Sequence, residues 1–131
     1  ALRQSQWFVS DDDRFSMQAL ADLLRDAQRR GVLSTGDLYT DEPTVIARLL
    51  ADPESAAYWR DFRRITGTKS TPERPSGVYA VRAAAKKRSI DPLVQTDAGP
   101  RRFSALSADY AAALSAFRAD GFDRWVQAIY E

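Results

Sequence analysis

The sequence predicts a mainly α-helical fold, about five helices in one compact domain with a short basic β-hairpin or extended insert. Three observations predict it. Apolar residues recur at helical spacing in successive stretches set apart by Gly and Pro. The length of 131 residues suits a single domain, residues 1–131. A hydrophobic fraction of 44%, with 11% aromatic residues, is enough to bury a core and argues against global disorder.

The elements follow in order. Ser16 is read as the cap of a first helix running to about Arg30. Leu20, Leu23, Leu24 and Ala27 form its buried face. Arg29 and Arg30 complement the dipole in its last turn, and Gly31 closes it with Val32 folding back. Thr40 is read as the cap of a second helix, with Asp41, Glu42 and Pro43 in its first turn. Val45, Ile46, Leu49 and Leu50 make its stripe, which must stop before Pro53. A third helix starts at Asp52-Pro53-Glu54, carries Tyr58, Trp59, Phe62 and Ile65, and ends by Gly67.

Residues 67–77 are rich in Gly, Ser, Thr and Pro and predict a flexible loop. A basic insert is expected over residues 78–103. Val78-Tyr79-Ala80-Val81 has strand character, and Ala83-Ala84-Ala85-Lys86 fits either a helical turn or a continuation of that strand. Ser89 to Val94 is extended at best, because Pro92 cannot sit in a central strand. Asp97-Ala98-Gly99-Pro100 is a turn, with Arg101-Arg102-Phe103 as a returning hairpin partner. Ser107 caps a fourth helix with Tyr110, Ala113, Leu114 and Phe117 on one face. Gly121 separates it from a last helix carrying Phe122, Trp125, Val126 and Ile129.

Composition excludes whole classes of chemistry. The chain has no Cys and no His. Zinc sites of Cys and His, Ser-His-Asp catalysis and Cys-His catalysis are therefore ruled out. No catalytic residue, metal ligand or cofactor is assigned. No paired acids can be placed in a common cleft, so a carboxylate-only hydrolase has no support. No apolar run reaches the roughly 18 residues of a membrane span, and Ala1 to Ser10 lacks signal-peptide character. A cytoplasmic location is expected, with no membrane partner. Lacking an initiator Met, the chain reads as a piece of a longer one.

Two local features invite functional readings. Asp11-Asp12-Asp13 offers carboxylate oxygens to a divalent cation, but consecutive side chains do not converge on one ion. A solvated turn before the first helix is the better reading. Trp7, Trp59 and Trp125 lie in or beside apolar stripes and are read as core packing rather than ligand stacking.

The charge distribution is more informative. Residues 60–102 carry 11 basic and 4 acidic side chains, a net of +7, between acidic flanks. Arg82, Lys86, Lys87, Arg88, Arg101 and Arg102 are the candidate phosphate- or polyanion-binding residues, expected on one exposed face. The competing expectation is a solvated surface, or ion pairs with the acidic residues of 1–59.

Three stretches together resemble a known family. They are Gly31-Val32-Leu33-Ser34-Thr35-Gly36-Asp37-Leu38-Tyr39-Thr40-Asp41-Glu42, Lys86-Lys87-Arg88-Ser89-Ile90-Asp91-Pro92-Leu93-Val94, and Arg101-Arg102-Phe103-Ser104-Ala105-Leu106-Ser107. In order and content they are similar to the region following the catalytic core in some bacterial HD-domain phosphohydrolases. About 30 residues carry the likeness. HD enzymes hold their metal with His and adjacent Asp, so no metal-binding position carries over to a chain without His.

The resemblance implies a C-terminal accessory domain of an HD-type metal-dependent phosphohydrolase, non-catalytic by itself. Its partner would be the catalytic region of the same protein or another subunit. The alternatives are a stand-alone protein-interaction module, or a nucleotide- or nucleic-acid-binding module acting through residues 60–102. An excised domain should also expose an apolar patch, and a homodimer through that patch is the expected assembly.

Overall fold

The computed structural model describes residues 6, 9–82, 84 and 86–131. The Trp7 assignment, and the choice between turn and strand at Ala83 and Ala85, lie outside the described residues.

Helix α1 (Asp11–Arg29) begins five residues before the expected start near Ser16. Its cap is Ser10, whose hydroxyl accepts from the Asp13 backbone N–H at 3.2 Å. Asp11, Asp12 and Asp13 are therefore its first turn, not a preceding solvated turn, and their charges face the positive end of the dipole. Gly31, at φ 76°, ends the helix, with the Val32 N–H folding back to Ala27 O at 2.9 Å. A 3-10 turn, Thr35–Tyr39, leads to α2 (Glu42–Ala51). Its cap is Asp41 rather than Thr40, accepting from the Thr44 N–H at 3.0 Å. Asp52 caps α3 (Pro53–Arg63), accepting from the Ser55 N–H at 2.8 Å.

The mainly α expectation fails from this point on. Residues 65–71 form strand β1 (Ile65–Thr71), where a flexible loop was expected over 67–77. Gly, Ser and Thr suggested loop composition, but the β-branched Ile65, Thr66, Thr68 and Thr71 suit a pleated surface. Only the stretch beyond Thr71 is loop before β2 (Ala80–Val81). Strands β3 (Leu93–Thr96) and β4 (Gly99–Arg102) form the expected hairpin. Ser107 caps α4 (Ala108–Ala119) as expected, accepting from the Tyr110 N–H at 3.3 Å. The expected last helix is strand β5 (Trp125–Tyr130). Among the described residues there are thus four α-helices and two antiparallel sheets, a mixed α/β fold.

The reason for the β5 error is physical. The apolar positions 122, 125, 126 and 129 fit a helical stripe, but six residues rich in Trp, Val, Ile and Tyr favour a strand once partners are available. The partners are β1 and β2, giving the order β1-β5-β2. Val126 pairs with Ser70 on one side and Val81 on the other. Phe122, at φ 51°, turns the chain from α4 into β5. Its ring is buried beneath the cations Arg14, Lys87 and Arg124, 4.7, 5.6 and 5.5 Å from its centroid.

The core has three parts. Phe15 and Ala19 of α1 pack on Val81 and Val126 of the sheet. Leu23 and Ala27, farther along α1, pack with Leu33 and with Leu49 of α2. Val9, Phe117 and Phe122 join α4 to the start of α1. Arg124 crosses the same junction, forking onto Asp11 at 3.0–3.1 Å and reaching Asp120 at 3.1 Å. Among the described residues no helix is long and apolar enough to cross a membrane.

Candidate phosphate-facing site

The hairpin is held to α4 by its flanks. Strand β3 pairs with β4 in the register Leu93↔Arg102 to Thr96↔Gly99. Gly99 adopts φ 103° at the turn, which an L side chain resists. Asp91, just before β3, accepts from both the N–H and the hydroxyl of Ser104, just after β4, at 3.0 and 2.7 Å. The Phe103 N–H donates to Pro92 O at 2.8 Å, and Arg102 donates to Asp91 O at 2.7 Å. Tyr110 of α4 donates its hydroxyl to Ile90 O and packs its ring 4.9 Å from that of Phe103. Hydrogen bonds from the Ser104 side chain and backbone hold the Asp91 carboxyl below its ordinary pKa. The two basic motif stretches, separate in sequence, are therefore one hydrogen-bonded unit.

The six candidate cations divide into two sets. Arg82 pairs with Asp123. Lys87 donates to the backbone carbonyls of Arg118 and Asp120, capping the C-terminus of α4. Arg102 is engaged by Asp91 O. The partners of these three all lie outside residues 1–59. Lys86, Arg88 and Arg101 are exposed and have no partner among the described residues. Arg101 and Arg102 are successive strand residues, so they point to opposite faces of the hairpin. The structure brings Lys86, Arg88 and Arg101 to the solvent and puts Arg82, Lys87 and Arg102 to internal use.

The first motif stretch, residues 31–42, is architectural. Asp37 is buried and accepts from the Ser34 N–H at 2.7 Å and the Ser34 hydroxyl at 2.8 Å. Arg48 of α2 reaches the same carboxylate at 2.9 Å. The Ser34 backbone bond, then its hydroxyl and the Arg48 charge, hold Asp37 below the usual carboxylate range. Beside it, Leu38 and Tyr39 are exposed, Tyr39 at 88%. Ile90 and Leu93 are also exposed, Leu93 on the hairpin face opposite Arg101.

Chemically, each of the three exposed cations, Lys86, Arg88 and Arg101, can meet an anion. Arginine forks match phosphate oxygens, and a lysine supplies a compact charge. Among the described residues no three His, Cys, Asp or Glu side chains converge to hold a metal ion. Nothing in sequence distinguished Lys87 from Lys86, because the carbonyls that capture Lys87 belong to a helix end about 30 residues away. Comparison with protein-family models, with curated proteins and with solved structures finds no match to this chain.

Proposed function

We propose that this chain is a non-catalytic accessory domain of an HD-type metal-dependent phosphohydrolase, set against the catalytic region with its cationic edge toward phosphate. The observation that carries the proposal is the closure of residues 86–94 and 101–107 into one unit. This unit exposes Lys86, Arg88 and Ile90 ahead of the hairpin, and Leu93 and Arg101 on its two opposite faces. Cations beside exposed aliphatics suit a partner surface that is apolar and carries phosphate nearby. Leu38 and Tyr39 offer a second apolar contact. The HD metal does not belong to this chain, which has no His to hold it, so no catalytic step is assigned to its residues. A cytoplasmic setting accords with a chain without cysteine.

The test is the reading frame upstream of Ala1. The proposal expects it to encode a separate His followed later by an adjacent His-Asp pair. The polypeptide expressed with that segment should hydrolyse phosphoesters with Mn²⁺, whereas residues 1–131 alone should not. An upstream frame without the His-Asp pair overturns the proposal. The same three cations also support a reading as a nucleotide- or nucleic-acid-binding module without an enzyme, which the absence of that pair would favour.

A further inference from the structure

A cleft elsewhere in the fold includes none of the candidate cations in its lining. Between α1, α3 and the sheet is a cleft of about 200 Å³ lined by Phe15, Tyr58, Asp61, Phe62, Tyr79 and Tyr130. Its rings stand at steep angles to one another. Tyr58 and Tyr79 meet edge to face at 6.2 Å and 79°, and Phe15 and Tyr79 at 5.8 Å and 76°. These are favourable edge-to-face contacts, and Tyr79 and Tyr130 are still 40% and 49% exposed beside them. Two phenol hydroxyls are already committed, Tyr58 donating to Ala19 O at 3.2 Å and Tyr79 to Asp22 at 2.6 Å. Burial, then the Asp22 hydrogen bond, raise the Tyr79 pKa.

Asp61 supplies the charge. It is exposed at the rim of the cleft, and its carboxylate has no partner among the described residues. Asp11, Asp22, Asp26, Asp37, Asp52, Asp120 and Asp123 by contrast each meet an arginine. The cleft thus combines aromatic walls with one unneutralised acid, and no lining residue is basic.

We propose that this cleft binds a small alkylated ammonium ion, a trimethylammonium head group or its like. The negative ring faces attract a cation, and methyl groups on the nitrogen replace its hydration shell with apolar contact. The same features disfavour an anion, so this ligand is distinct from the phosphate proposed for Lys86, Arg88 and Arg101. A cleft below the roughly 300 Å³ of ordinary drug-sized sites fits a head group rather than a larger molecule. The occupant is a free small cation, for which choline is the probe.

The experiment is an NMR titration of the intact chain with choline and, separately, with its neutral isostere 3,3-dimethylbutan-1-ol. Choline should shift the amide signals of Tyr58, Asp61, Tyr79 and Tyr130 and bind about tenfold more tightly than the alcohol. Asp61→Asn, an exposed change, should weaken choline about threefold and leave the alcohol unchanged. Tyr130→Leu keeps apolar bulk at a half-exposed position and should weaken choline alone. Equal affinity for the two probes would mean an unselective apolar cleft and would overturn the proposal. So would the absence of any shift at these residues. The comparison of the two probes uses the unmutated chain, so its outcome does not depend on whether a variant folds. It is also independent of any HD connection.

Discussion

Truncating Val126 and Ile129 separately tests whether the last element is a strand. The two residues would share a stripe on a helix, but on β5 they point to opposite faces. Val126 is fully buried against Phe15, Ala19 and Val81, whereas Ile129 is 44% exposed. Val126→Ala removes two methyl groups, worth about 1.6 kcal/mol in transfer, and leaves a cavity beneath α1. The total should be about 2–3 kcal/mol. Ile129→Ala removes more carbon, but nearly half of that surface is already wet, so about 1 kcal/mol is expected. Urea denaturation followed by circular dichroism measures both, provided the slopes agree. A loss from Ile129→Ala equal to or larger than that from Val126→Ala would refute the strand account and restore the helical stripe.

Three further outcomes follow from particular contacts. The Asp52 carboxyl is lowered from 3.8 to about 2 by the Ser55 backbone N–H and then by Arg30. A depressed folded pKa gives stability that is complete above about pH 4 and lost as pH falls toward 2, so Asp52→Asn should flatten the acid limb of the melting-temperature profile. Gly99→Ala forces a side chain onto φ 103° and should cost the hairpin about 1 kcal/mol or more. Hydrogen-exchange protection in residues 93–102 should fall while that of α1 and β5 is kept. Arg124→Met removes the fork to Asp11 and the bond to Asp120, and with the guanidinium side chain 31% exposed the expected loss is about 1–2 kcal/mol by thermal melting.

What was legible in sequence was the local chemistry. Gly31, Pro53 and Ser107 marked helix ends because each acts within a few residues of itself. The hairpin at 93–102 was legible from Pro92 and the Asp97 to Pro100 turn. What was not legible depends on distant partners. Residues 65–71 and 125–130 become strands because they pair with each other across some 60 positions. Ser10 rather than Ser16 is the cap, a local signal in the acids that follow it, to which Arg124 and Thr68 add bonds to Asp11 and Asp12. The aromatic cleft was invisible for the same reason. Tyr58 read as one more residue of an apolar stripe, and only the sheet brings Tyr79 and Tyr130 to it.

The exposed cations are the direct test of the claim that this chain meets phosphate. Short single-stranded RNA, used as a polyphosphate probe, should bind with an affinity that falls steeply with salt, because each neutralised phosphate releases condensed counterion. Replacing Lys86, Arg88 and Arg101 together by Ala should weaken binding and flatten the slope of log K against log salt by up to about 0.7 per lost contact. Melting should be unchanged, because these three have no partner among the described residues to lose. Replacing Arg82 and Lys87 instead should lower the melting temperature, since those side chains hold Asp123 and the end of α4. Affinity and salt slope unchanged in the Lys86, Arg88 and Arg101 variant would contradict a phosphate-facing edge.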